Sequence, residues 1–182
     1  MRVIIFIQPV NSVKSVHAGS DSLYFSYLLI LGSPILINAT GLFLLIAGFV
    51  TGLGAVTVID IHGFLGRTSH YWTEATTRTH KVTKPLIWTG IILAIIGGLI
   101  FYRDASFSGI PLIHAIVALI LILNGCFLSF VVSPVMIKRE REGRSGELLS
   151  KSWQVKIMAS LIVSDIGWWG GLVLLVVYLV NH

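Results

Sequence analysis

The chain has 182 residues, of which 55% are hydrophobic and 12% charged, and its mean hydropathy is +0.88. Soluble domains carry about 25% charged residues, so this composition excludes an ordinary soluble domain and indicates a membrane protein. The formal net charge is +5. The placement of the basic residues predicts topology and contact with lipid headgroups rather than nucleic-acid binding.

Runs without Asp, Glu, Lys or Arg locate the membrane helices, each of which needs about 20 apolar residues. These runs are 22–59, 85–102, 105–137 and 166–181. They predict four transmembrane helices, at about 35–59, 85–102, 109–134 and 157–180. The short outer turn 103–108 forces the second and third helices to run antiparallel. We therefore predict an all-α membrane protein in which residues 34–182 form one antiparallel four-helix bundle.

The basic residues predict the orientation of the bundle. Ten of the thirteen Lys and Arg residues fall in the two long connections, 60–84 and 135–156. Positive residues stay on the cytoplasmic side, so both connections are predicted inside and both termini outside. Residues 1–33 are predicted to form an N-terminal tail rather than a cleaved signal, with a short apolar interfacial segment from Leu23 to Gly32.

Local sequence signals predict structure at the ends of the spans. The first span is predicted to continue past the lipid as a helix into Gly63 and Gly66. Thr73 is predicted to cap a short helix in the first inner connection, and the third span is predicted to break near Pro134. In the second inner connection, acidic and basic residues four apart predict some helix: Glu140 with Arg144 and Glu147 with Lys151. Small residues such as Gly48 and Gly52 are one turn apart and predict faces on which helices approach closely.

A layer of polar residues is predicted at one depth in the membrane. Asp165 lies within the last span, where an unpaired carboxylate costs a few kcal/mol or more. Counting ~1.5 Å per residue from the outer boundary places Asn124 at the same depth, with Thr51 and Thr89 nearby. Two interpretations stay open. Asn124 donates to Asp165 in a buried network that fixes helix register, or Asp165 binds or relays a proton, a cation or a polar substrate group.

Three histidines are candidate ligands for haem or a metal: His62, His80 and His114. His62 and His80 are predicted at one level near the inner boundary, where Asp60 adds a carboxylate. Two histidines on neighbouring helices can ligate a haem iron, and a metal can take all three of these side chains. Because the chain has no HxxxH, CxxCH or HExxH motif, interfacial or packing roles for the histidines stay open as well.

The order of several short motifs resembles a group of membrane proteins. Residues 79–90 open the second span, Leu121 to Gly125 and Val131 to Pro134 end the third, and Trp168-Trp169 lie in the fourth. This order is similar to small bacterial integral membrane proteins loosely akin to the copper-resistance protein D and HemJ-type groups. The resemblance implies a helical bundle in a prokaryotic inner membrane, with b-type haem in the HemJ-type members and copper uptake in the others. The chain departs from both in lacking an early histidine in its first span and a Met-rich segment.

The sequence contains no nucleophile–base pair, phosphate loop or nucleotide motif, which favours a non-enzymatic membrane component. We expect a small carrier or a subunit of a complex, with the lipid bilayer and other membrane subunits or a second copy of the chain as partners. One alternative is a redox protein that binds b-type haem or a metal through the histidines. A second alternative is a purely structural bundle whose polar layer sets helix register.

Overall fold

A computed structural model describes residues 33–181 of the chain. Each of the four long helices in this range is long and apolar enough to cross a membrane: α1 (Pro34–Leu65), α2 (His70–Phe101), α3 (Gly109–Arg141) and α4 (Lys151–Asn181). The predicted all-helical, four-span membrane fold is confirmed. The predicted N-terminal tail lies almost wholly outside the described residues. The chain divides into two compact units, Met1–Ile37 and Asn38–His182, and the contacts below belong to the second.

The helices alternate in direction. The end of α1 meets the start of α2, because Gly66 and Thr73 are in close contact. The start of α4 lies at the same end of the bundle, where the Gln154 side chain donates to the carbonyl of Arg67 (3.5 Å). We call this end, which carries most of the basic residues, the inner end, and the opposite end the outer end. The positive-inside rule assigns the inner end to the cytoplasmic side.

Helix α2 begins fifteen residues earlier than the predicted second span, at His70. Its N-cap is Ser69, whose hydroxyl accepts from the Trp72 amide (3.4 Å), so the prediction of Thr73 as a cap is wrong. Thr73 is buried in the first turn and donates to the carbonyls of Gly66 (2.7 Å) and Ser69 (2.9 Å). Other threonines of this segment, Thr76, Thr77 and Thr83, donate their hydroxyl hydrogens to the carbonyls four residues earlier. Such bonds are compatible with a helix.

Helix α3 passes through Pro134 without a break, so that prediction is also wrong. The helix widens into one π-helical turn over Leu128–Val132, and the Ser133 amide bonds to the Leu128 carbonyl. Proline has no amide hydrogen to continue the pattern. The carbonyl of Ser129 therefore receives no helical partner from Pro134, and the ammonium group of Lys84 on α2 donates to it instead (3.4 Å).

The second inner connection is held by ion pairs other than those predicted. Helix α3 ends at Arg141, and the turn after it contains Gly143, whose φ of 71° favours glycine. Glu140 pairs with Lys81 of α2 (2.8 Å) rather than with Arg144. Arg144 pairs with Glu142 and Glu147. These contacts fold the connection onto the inner end without a further helix.

Helices α1 and α2 approach each other closely along their glycines. An added Cβ at Gly48 would lie 2.7 Å from the carbonyl oxygen of Gly90, and one at Gly90 would lie 2.6 Å from the Cα of Gly52. Because lipid is as apolar as a leucine side chain, helices in membranes associate through such packing rather than through the hydrophobic effect. The glycine face predicted from Gly48 and Gly52 is therefore the contact between α1 and α2.

The buried core lies between all four helices. Trp168 of α4 is its largest fully buried side chain, with 1% of its surface exposed. Its ring covers Gly52 of α1 and meets the edge of Phe49 at a centroid distance of 6.0 Å and an angle of 83°. Ile91 of α2 and Leu121 of α3 complete the cluster.

Candidate functional site

Asn124 joins α3 to α4 through a reciprocal pair of hydrogen bonds. Its amide nitrogen donates to the carbonyl of Ser160 (3.0 Å), and the Ser160 hydroxyl donates back to the Asn124 side-chain oxygen (2.6 Å). Ser160 is buried, with 5% of its surface exposed. The structure thus gives Asn124 a different partner from the predicted Asp165, and this pair fixes the register of two helices.

The Asn124–Ser160 pair is expected to show a coupling free energy of about 1 kcal/mol, within the range for hydrogen bonds between membrane helices. A double-mutant cycle of Asn124→Ala and Ser160→Ala, followed by unfolding in detergent micelles, measures it. Ser164 lies one turn further along α4, is buried and makes no hydrogen bond to Asn124. A cycle with Ser164→Ala should therefore show no coupling, and equal coupling in both cycles would contradict the assignment.

The other two residues of the predicted layer do not join a network. Thr51 is half-buried and Thr89 is exposed, and neither side chain is hydrogen-bonded to Asn124 or Asp165. Next to Thr89, the indole of Trp88 donates to the Ser129 hydroxyl (3.0 Å). Polar contacts at this depth therefore form separate pairs between neighbouring helices.

Asp165 of α4 is half-buried, and its electrostatic neighbour is Asp60 of α1. Asp60 is buried, with 8% of its surface exposed, and its Oδ2 atom has no hydrogen-bond partner among residues 33–181. No Lys, Arg or His of the described chain forms an ion pair with either carboxyl group. Two acidic groups thus interact inside the bundle without a cation from the protein.

The three candidate histidines lie in different surroundings. His62 stacks on Trp72 (centroids 5.1 Å apart, 30° between planes), and its Nδ1 atom is buried without a hydrogen-bond partner. The Nε2 atom of His80 is likewise buried and unpartnered. Both ring nitrogens of His114 are engaged, Nε2 with the Gly171 carbonyl (2.7 Å) and Nδ1 with the Tyr102 hydroxyl (2.8 Å). His114 therefore has no nitrogen free for a haem iron in this arrangement.

The proposed metal set of Asp60, His62 and His80 is not assembled. Within residues 33–181, no three His, Cys, Asp or Glu side chains are grouped closely enough to hold a metal ion. His80 instead lines a cavity of about 70 Å³, together with Lys84 and Ser129. A second cavity of about 40 Å³ is lined by Arg67 and Gln154 near the inner end.

The two inner cavities are adjacent, because they share part of their lining: Gly63, Thr76, Met136 and Ile157. A water molecule needs about 10–15 Å³ of such space and two to four polar partners, so both are large enough for water. The larger cavity is also lined by Ile59 and Leu161. Ile59 precedes Asp60 in α1, and Leu161 lies one turn before Asp165 in α4. The larger cavity therefore contacts α1 and α4 close to the two acidic residues, but neither Asp60 nor Asp165 lines either cavity.

Comparison with known proteins returns no match: neither a family model, nor a curated protein, nor a solved structure matches this chain. The fold and the site therefore carry the functional argument.

Asp60 was predicted to lie at the inner boundary of the membrane, whereas the structure buries its side chain within the bundle. It follows the charge-free run 22–59 directly, which places it at the membrane boundary when the span is counted from composition. Helix α1 continues to Leu65, as predicted from its continuation into Gly63 and Gly66, so Asp60 is one full turn inside its end. What the sequence did not show is that Asp60 is buried there, with Asp165 of α4 as its electrostatic neighbour.

Proposed function

We propose that this polytopic membrane protein is a proton-binding membrane component, a small carrier or a subunit of a larger complex, in which Asp60 and Asp165 together hold an exchangeable proton. The observation that carries the proposal is the buried, unpartnered Oδ2 atom of Asp60 beside the carboxyl group of Asp165. The proposed functional pair is therefore Asp60 with Asp165, instead of Asn124 with Asp165.

The physical argument starts from the cost of charge inside the bundle. An ionised carboxylate away from water is unfavourable unless it is paired, and a second acidic group nearby makes the doubly ionised state less favourable still. No basic side chain of the described chain neutralises the pair. A proton on the buried Asp60 removes the repulsion between the two groups and the cost of a charge at that position, and it supplies a donor for a hydrogen bond.

The adjacent inner cavities support exchange of this proton with the cytoplasmic side. Intramembrane acidic groups that work as relays face a water-filled space rather than lipid. His80 and Lys84 provide polar groups in the wall of the larger cavity, which favours water there over an empty apolar void. The proposed route runs from these cavities past Ile59 and Leu161, the lining residues nearest in sequence to Asp60 and Asp165.

Asp60→Asn is the decisive change, because asparagine has nearly the same shape and no ionisable group. In protein reconstituted into liposomes, infrared titration of the wild type should show a protonated carboxyl band that disappears as the pH rises. We expect the band to be absent in Asp60→Asn and altered in Asp165→Asn. Asp104→Asn is the matched control, since its side chain is 75% exposed in the outer turn, and it should leave the band unchanged.

Thermal unfolding of the same variants separates this proposal from the purely structural alternative. Asp60→Asn is expected to leave the unfolding temperature within a few degrees of the wild type, because the neutral amide replaces a group that must itself be neutralised. Persistence of the titrating band in Asp60→Asn would contradict the proposal. A large loss of stability with no titrating carboxyl in the wild type would favour the structural role.

A further inference from the structure

A cavity in the outer half of the bundle is distinct from the inner cavities and has a volume of about 530 Å³. Binding sites for small molecules usually measure about 300–1,000 Å³, so the space is large enough for a ligand. Its inner boundary is formed by core residues of several helices, among them Phe49, Ile91 and Trp168. It lies between α2 and α3 and does not include Asp60 or Asp165.

The cavity opens sideways, toward the lipid. Three of its lining residues have strongly exposed side chains on the surface of the bundle, and in a membrane that surface faces acyl chains: Leu99 (70%), Phe107 (72%) and Leu119 (56%). The lining extends along α2 from Ile91 to Tyr102, about 16 Å at the helical rise. Half of the ~30 Å hydrocarbon core is about 15 Å, so the cavity is as deep as one leaflet.

The polar groups within the cavity satisfy each other. Because a carbonyl oxygen only accepts, His114 Nε2 carries a hydrogen and donates to Gly171, which leaves Nδ1 to accept from the Tyr102 hydroxyl. The phenol of Tyr102 is neutral at ordinary pH, so it keeps the proton that it donates to His114. Tyr102 and His114 therefore have no hydrogen-bond donor left for a polar substrate. An apolar chain can lie against these two side chains without breaking a hydrogen bond.

The only charged side chain in the described lining is Arg103, at the outer mouth of the cavity. Its Nε atom donates to Asp104 (2.9 Å), whereas its two terminal nitrogens have no partner among residues 33–181. Arg103 is 28% exposed and Asp104 is 75% exposed, so the arginine is turned toward the cavity and the aspartate toward water. A guanidinium with two free nitrogens at the headgroup level matches the oxygens of a phosphate.

We infer that this cavity binds a phospholipid from the outer leaflet, with one acyl chain between α2 and α3 and the phosphate at Arg103. The depth of one leaflet, the lateral opening, the satisfied interior and the single cationic group at the mouth each fit that occupant. The inference is independent of the proton-binding proposal, because the two sites share no residue.

Native mass spectrometry of protein extracted in mild detergent from vesicles of phosphatidylglycerol and phosphatidylcholine tests the inference. The wild type should carry one retained phospholipid. Ala118→Phe fills the cavity from α3 and should abolish the adduct, and Arg103→Gln should weaken it about fivefold, the effect of one basic residue at an anionic headgroup. Leu123→Phe is the matched control, since Leu123 is 61% exposed on the same helix and does not line the cavity, and it should keep the adduct.

If Ala118→Phe fails to fold, Ala115→Leu adds bulk to the same lining and takes its place. Equal phospholipid retention by the wild type and a folded, cavity-filling variant would overturn the inference. It would also be overturned by a wild type that carries an isoprenoid quinone in place of a phospholipid, or that carries no lipid because a protein segment covers the cavity.

Discussion

Replacing Trp168 with alanine is expected to lower the free energy of unfolding by about 3 kcal/mol, the lower end of the range for buried aromatic residues. The ring is 1% exposed and lies between Gly52 and Phe49 of α1. Helix α1 cannot readily move into the vacated space, because its glycines already hold it against α2. When the helices separate in a membrane, the Trp168 ring is transferred to lipid rather than to water, so the hydrophobic effect contributes little. The lost stability therefore comes from the missing packing contacts and from the cavity that alanine leaves. Unfolding in detergent micelles measures it.

Trp169→Ala is the matched control for this prediction. It removes the same side chain from the next position of α4, where 52% of the residue is exposed. A surface change of this kind is expected to alter stability by less than about 0.5 kcal/mol. If the two variants lost equal stability, Trp168 would not be the packing centre that the structure shows.

Gly97→Ala is expected to cost about 2 kcal/mol or more, because the added methyl group meets backbone rather than a movable side chain. Its Cβ would overlap the amide nitrogen of Leu45 and lie 2.7 Å from the Leu45 Cα and 2.8 Å from the Gly41 carbonyl oxygen. Only separation of α1 from α2 relieves these contacts, and that separation also loosens the neighbouring glycine contacts. Thermal unfolding in detergent and cross-linking between the two helices both report the change.

Gly98→Ala provides the control one residue further along α2. There the nearest atom to an added Cβ is the Leu45 Cδ1 at 4.0 Å, so the methyl group fits without a clash. Alanine favours a helix over glycine by up to about 1 kcal/mol, and stability should stay unchanged or rise slightly. Tolerance of alanine at both positions would show that the contact between α1 and α2 is looser than described.

The number and direction of the helices were predictable because both follow from composition. Charge-free runs mark the segments that lipid accepts, and the short outer turn leaves only an antiparallel arrangement. The continuation of α1 toward Gly63 and Gly66 was predicted, but the start of α2 and the continuation of α3 were not, since a helix can continue through polar residues once it has left the lipid. Thr73 was therefore taken as a cap although it lies inside α2, and Pro134 was taken as a break although α3 continues past it.

The candidate site was predicted only in part. The depth count placed Asn124 level with Asp165, but its partner is Ser160, five residues nearer the inner end of α4. Five residues of helix correspond to about 7.5 Å, so counting from composition misjudged the depth. Asp165 instead has Asp60 of α1 as its electrostatic neighbour. Asp60 was assigned to the inner boundary, because composition does not show which residues of α1 are packed beyond the lipid. The glycine contacts along the whole length of the helices determine which helices are neighbours and which faces they share. The position of a single residue in the sequence does not reveal this arrangement.

The π-helical turn in α3 makes the backbone of one helix depend on a side chain of another, through positions 84 and 134. Proline at position 134 withholds an amide hydrogen, the Ser129 carbonyl is left open, and Lys84 of another helix takes it. Any other residue at position 134 would return a donor to α3 and leave the Lys84 ammonium without that partner. The effects of changing the lysine and the proline on stability are therefore expected to depend on each other, although the two residues lie on different helices.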